Sequence, residues 1–203
     1  MKREYQYIDP DNIYTDPETN ILRNKLGIMD NDLLVATESI LCARRLEELE
    51  INPLIIESAE TLLKIHEFIF QDIYEWAGKV RIVQISKGGT QFLPTERFSE
   101  GFSYINELIS KYRIILDDIT KVAKNLAMIL DAINHLHPFR EGNGRVQREF
   151  IRVLAQEKGY RIDLNSADNR NFYDQYMLGT VNGNVSLLTE LIYDALIASK
   201  IDK

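Results

Sequence analysis

Within a dozen residues, the segment His137-Pro-Phe-Arg-Glu-Gly-Asn-Gly-Arg145 and the nearby Arg148 gather a base, an acid, two glycines and, after them, a pair of arginines, Arg145 and Arg148. His137 has the intrinsic pKa to take a proton near neutral pH, which makes it a candidate general base. Gly142 and Gly144 permit positive φ, so successive N–H groups can face one concavity, and a helix starting there adds unpaired amides and the positive end of its dipole. That is an anion cradle. Arg145 and Arg148 lie one turn apart and can both grip phosphate oxygens, which suits a polyphosphate. Glu141 is a hard oxygen donor of the kind Mg²⁺ uses when one carboxylate is joined by phosphates and water. A nucleotide with Mg²⁺ satisfies all of these groups, and His137 could then deprotonate a hydroxyl attacking the α-phosphorus. Taken singly, each residue is more often a cap, a turn or a surface ion pair. The combination carries the weight.

These residues need elements to hold them. Apolar spacing predicts a helix opening near Asp118 and carrying Val122, Leu126, Ile129, Ile133 and Leu136, and Pro138 ends it at His137. A second helix starts around Gly144, carries Val146, Phe150, Ile151 and Leu154, and stops at Gly159. Phe139, between polar neighbours, is expected to point inward and pin the loop. Further helices are predicted over 32–50, from Ser58 as N-cap through Ile65, Ile69, Ile73 and Trp76 to Gly78, from Thr95 through Phe102, Ile105, Leu108 and Tyr112, and over about 166–179 and 185–199. Between Val80 and Pro94, β-branched residues flank Lys87-Gly88-Gly89 and predict a short hairpin, the only β candidate. The expected fold class is all-α, a helical bundle with one hairpin.

Composition narrows the options. The 203 residues, 45% hydrophobic and 27% charged, fit one globular domain. There is no apolar run of membrane-spanning length and the N-terminus is polar, so no membrane association and a cytoplasmic location are expected. The single cysteine, Cys42, lies in an apolar-periodic stretch and reads as core filling. A net charge of −7 without a basic stripe disfavours direct nucleic-acid binding.

His137-x-Phe139-x-Glu141-Gly142-Asn143-Gly144-Arg145-x-x-Arg148 resembles the Fic family motif at every defined position, and similarity extends from Asn24-Lys-Leu-Gly through Tyr74-Glu-Trp-Ala-Gly-Lys-Val-Arg81 toward the C-terminus. The resemblance implies the Fic fold in a single domain over 1–203: a core of about 55–180, a flap of about 80–94, the motif at 137–148 and an N-terminal helical extension of about 1–54. It implies transfer of AMP from ATP to a Ser, Thr or Tyr hydroxyl of a target protein. His137 would then be the base and Glu141 the Mg²⁺ ligand. Asn143 and the amides of Gly142 and Gly144 would hold the α-phosphate, and Arg145 and Arg148 the β- and γ-phosphates. The flap, with Lys87 and Gly88 near the nucleotide, would pair with an extended segment of the target over Ile85 to Gly89, while Tyr173 and Asn182 resemble residues lining the adenine pocket.

Many members are restrained by a helix bearing Ser/Thr-x-x-x-Glu-Gly/Asn. Here Ser103–Glu107 and Ser186–Glu190 have the spacing but are followed by Leu108 and Leu191. The resemblance therefore points to the bacterial toxin subclass inhibited by a separate small antitoxin, whose relatives modify type II topoisomerase subunits. Rival readings are a Fic-type transferase of UMP, phosphoryl or phosphocholine groups, and a catalytically silent protein-binding module.

Overall fold

The computed structural model describes residues 5–8, 11–87, 90–164 and 170–198. Among the described residues six α-helices are arranged around a buried seventh, α4 (Ile119–Leu136), which packs against α3 (Phe98–Ile114), α5 (Asn143–Glu157) and α7 (Val185–Ala198). The cause is visible in α4 itself. Val122, Ala123, Leu126, Ala127, Ile129, Leu130, Ile133 and Leu136 are all buried, so apolar side chains cover more than one face. Asp118 caps its start by accepting from the amides of Thr120 and Lys121. At the other end His137 takes a left-handed conformation ahead of Pro138. Around this axis lie α1 (Asn31–Ile51), α2 (Thr61–Phe70) and α6 (Arg170–Asn182). Cys42 of α1 is 1% exposed and burial pushes its thiol up to about 12, in keeping with core filling. No helix among the described residues is long and apolar enough to cross a membrane.

Two expectations are corrected. The helix expected from Ser58 to Gly78 is shorter: it begins at Thr61, whose hydroxyl accepts from the amides of Glu57 and Ser58, and ends at Phe70. Ile73 and Trp76 keep helical spacing, yet Lys25 takes the carbonyl of Ile73 with its amide and that of Gln71 with its ammonium. A distant segment thus satisfies carbonyls that would otherwise continue the helix. Gly78, at φ +78, closes the turn that follows.

The hairpin is also not the only β structure. Strands β2 (Gln84–Lys87) and β3 (Thr90–Gln91) are joined by β1 (Tyr5–Ile8) in a sheet ordered β1-β2-β3, with Tyr5 opposite Lys87 and Ile8 opposite Gln84. Tyr5-Gln-Tyr-Ile has the residue types of a strand, but its partner lies far along the chain and leaves no local signal. Behind the sheet, Tyr14, Val83, Ile85 and Phe92 form a small buried cluster separate from the main core. Leu22 and Trp76 pack against it.

Candidate active site

The corner after α4 is set first. His137 has φ 44 and ψ 59 and is 5% exposed. A non-glycine residue in this region costs about 1 to 2 kcal/mol, so its surroundings must enforce it. Its Nδ1 lies 3.3 Å from the carbonyl of Asn134. A carbonyl can only accept, so Nδ1 carries the proton and Nε2 the lone pair. Phe92, just past β3, stacks on the imidazole at 3.7 Å between centroids and 14° between planes.

The loop beyond this corner is held by side chains bonded to backbone. Asn143 accepts from the Phe139 amide at 3.0 Å and donates to the Phe139 carbonyl at 2.8 Å. Phe139 is 1% exposed, inward as expected, and stacks on His66 at 3.9 Å. His66 accepts from the Gly78 amide through Nδ1, so its Nε2–H donates to the Glu141 carbonyl at 3.1 Å. Burial, reinforced by the charge of Arg145, lowers the His66 pKa to about 3, so this ring is neutral at physiological pH. Gly142 has φ +84, and a Cβ there would come within 2.3 Å of the Phe70 ring. A Cβ on Gly144 would come within 3.1 Å of an Arg148 guanidinium nitrogen. Gly142 is therefore required both by contact and by its dihedral, whereas a side chain at Gly144 would ask only the flexible end of Arg148 to give way by a few tenths of an ångström. Val146 is the first amide of α5 to close onto Gly142, which leaves the preceding helix-start amides without an intrahelical partner.

Charge is distributed around this loop. The Glu141 carboxylate accepts from the Gly142 amide at 2.9 Å and lies 3.4 Å from Arg145. Arg145 is turned toward α1, where it pairs with Glu38 at 2.6 Å, and its guanidinium lies over the Phe70 ring of α2 at 4.7 Å. Tyr74 donates its hydroxyl to the same Glu38. Arg148 leans over the Tyr176 ring at 5.6 Å. No cluster of three or more metal-ligating residues exists among those described. Glu141 alone, with its side chain 37% exposed at the mouth of the cradle, suits an ion whose other ligands come from phosphate and water.

The structure thus brings His137, Glu141, Gly142, Asn143, Gly144, Arg145 and Arg148 together around one loop and helix start. The side chain of Asn143 is engaged by the loop itself, and the guanidinium of Arg145 by Glu38. Lys87 ends β2, but its side chain, together with Gly88, lies outside the described residues. Tyr173 falls within α6, with its side chain likewise outside them. Asn182 is exposed at the last position of α6, before a left-handed Gly183. Three contributors went unforeseen. His66 was hidden within the apolar face of α2, where only a polar residue among Ile65, Ile69 and Phe70 hinted at a buried role. Glu38 and Tyr74 reach the site through tertiary contacts that no local spacing encodes.

The Fic/DOC family model matches residues 56–155. The chain is 34% identical over 181 residues to protein adenylyltransferase VbhT of Bartonella schoenbuchensis, covering 88% of this chain and 38% of that relative. It therefore spans little more than a third of VbhT. It is 33% identical over 175 residues to the probable protein adenylyltransferase y4lH of Sinorhizobium fredii, covering 85% of this chain and 89% of that one. In three dimensions it resembles the BepC protein of Bartonella tribocorum, a VirB-translocated effector solved with bound AMPPNP, at a TM-score of 0.81. That match covers 95% of this chain and 98% of the other at 22% identity, and so speaks to the fold. With the motif, the matched segment and relatives of this identity in agreement, the chain belongs to the Fic/DOC family.

Proposed function

We propose that the chain is a protein adenylyltransferase, moving AMP from ATP to a Ser, Thr or Tyr hydroxyl of a target protein. The observation that carries this reading is the pairing of a proton-accepting His137 Nε2 with the amide cradle that opens α5. Adenylyltransferase relatives of similar length support it. In this reading the target hydroxyl gives its proton to His137 as its oxygen bonds to the α-phosphorus. The bond from that phosphorus to the β-phosphate bridging oxygen breaks, and pyrophosphate leaves. The helix-start amides stabilise the charge that develops.

Gly142, Asn143 and Gly144 shape the cradle, and Arg148, beside Gly144, takes the terminal phosphates. The phosphate role carried over to Arg145 requires it to swing from Glu38; in its present position it steadies Glu141. Glu141 would hold Mg²⁺, which when bound neutralises phosphate charge. Because β2 is flanked by β1 and β3, we place the target segment along the outer edge of β3, nearest the catalytic corner. Lys87, Gly88, Tyr173 and Asn182 stay in the proposal as nucleotide neighbours. The core of about 55–180 and the extension of about 1–54 act as one unit, since Glu38 reaches Arg145. A separate antitoxin, a type II topoisomerase target and a cytoplasmic setting complete the proposal.

ATP labelled separately at the α- and γ-phosphates, incubated with the protein and a bacterial lysate, tests the reaction. Label from the α-position should appear on protein, and transfer of γ-label would overturn the assignment. His137→Ala should lower transfer by about 10²- to 10⁴-fold, the usual contribution of a general base, while ATP still binds. Full activity in that variant would remove His137 from the mechanism.

A further inference from the structure

Arg81 is 1% exposed and heads the buried side chains by size, and no carboxylate pairs with it among the described residues. Its partners are carbonyls. Nε donates to His137 at 2.8 Å, one terminal nitrogen to Val83 at 2.6 Å and the other to Leu93 at 2.7 Å. Its own amide donates to Pro138 at 2.7 Å, and its guanidinium lies over Phe98 at 4.9 Å. Burial lowers its pKa to about 10, which leaves it cationic at neutral pH.

The positions of those carbonyls matter more than their number. Val83 and Leu93 stand just before and just after the hairpin strands, so they are the two roots of the flap. His137 and Pro138 form the left-handed corner at the end of α4, where a helix leaves carbonyls unsatisfied and its dipole favours a cation. Leu93 adds to the same junction by donating its amide to His135 at 2.9 Å. One side chain therefore joins both flap roots to the backbone of His137. A guanidinium can do this because its donors form a rigid fork, whereas an ammonium is a single point that cannot span three carbonyls on different segments.

We propose that Arg81 is a positioning residue that locks the flap roots and the His137 corner into one unit, so that the strand presenting the target hydroxyl keeps register with the base that receives its proton. This rests on the assignments of His137 and the flap made above.

Arg81→Lys is the first test, with Phe98→Leu as a milder variant that removes the ring under the guanidinium and keeps all its bonds. The three histidines give three imidazole signals, which nitrogen-edited NMR can follow singly. In Arg81→Lys the His137 signal should broaden or split while those of His66 and His135 hold, and exchange of amides across 83–93 should quicken at least tenfold. Transfer from α-labelled ATP should lose about 100-fold in kcat, the scale of a 1 Å misplacement. ATP affinity by calorimetry should stay within about twofold, because the cradle is untouched. Phe98→Leu should shift each readout the same way by less. Unchanged His137 signals, flap exchange and kcat in a folded Arg81→Lys protein would overturn the proposal. So would an unaltered Phe98→Leu protein if Arg81→Lys does not fold. Should the wild type transfer no AMP, the adenylyltransferase reading fails, while the NMR and exchange data still decide whether Arg81 joins flap to corner.

Discussion

The loop after α4 and the sheet opposite it meet across the His137 ring, and they are held in place by different means. The loop is stitched from below: Asn143 clamps Phe139 from both sides, His66 bonds the Glu141 carbonyl, and Phe70 fills the space where Gly142 lacks a side chain. Each tie runs to backbone, and all of them are rooted in the main core. The sheet rests instead on a cluster of four buried residues outside that core, braced by the segment from 11 to 24. In the proposed function, chemistry falls on the stiffer half and presentation of the target on the half expected to loosen without unfolding the rest.

Breaking the stiff half should have the largest effect. Gly142→Ala places a Cβ against the Phe70 ring at a dihedral that disfavours it, with an expected cost of about 3 kcal/mol from strain and overpacking. Urea unfolding should show that loss, and AMP transfer should fall with it. A variant as stable and active as the wild type would mean that the loop is softer than its contacts suggest.

Acid probes the same half more gently. Burial lowers the His66 pKa to about 3 in the folded chain, below the ordinary imidazole value of 6.5, so the unfolded chain binds the extra proton throughout that window. Stability from this group is therefore complete above about pH 6.5 and declines as pH falls toward 3, by about 1.4 kcal/mol per unit. Unfolding measured from pH 7 to 4.5 should show that slope, and His66→Gln should reduce it by one proton. An identical slope in the variant would exclude His66 as its source.

The softer half gives the smallest global change and the most local one. Tyr14 packs edge-on against Trp76 at 5.6 Å and accepts from the Ile82 amide at 3.2 Å. Tyr14→Ala should speed amide exchange in 83–93 about tenfold, a local loss of about 1.4 kcal/mol, while amides of α4 keep their protection. If α4 loosens equally, the two halves are one cooperative unit and the contrast fails.

Much of the stiff half could be read from residues in order. Asp118 marked the start of α4, Pro138 its end, and Gly142 the turn into α5, because caps and breakers act on their immediate neighbours. The early stop of α2 could not be read that way, since Lys25 imposes it from across the fold. Nor could β1, whose pairing with β2 needs a partner remote in sequence. Within the site, the motif named the loop and the arginines but not the direction in which Arg145 points. That is decided by a glutamate on another helix.

That glutamate has a consequence for where the enzyme begins. Glu38 lies on α1, ahead of the segment 56–155 that the family model recognises. A fragment cut at the start of that segment would retain every residue of the motif, yet strand the Arg145 guanidinium beside Phe70 without its counter-charge, and a cation left so in a mostly buried site seeks the nearest anion. The nearest is Glu141. The boundary of the family model and the boundary of electrical neutrality therefore fall at different places in this chain, and only a piece that includes Glu38 spares Glu141 for the metal-holding role proposed above.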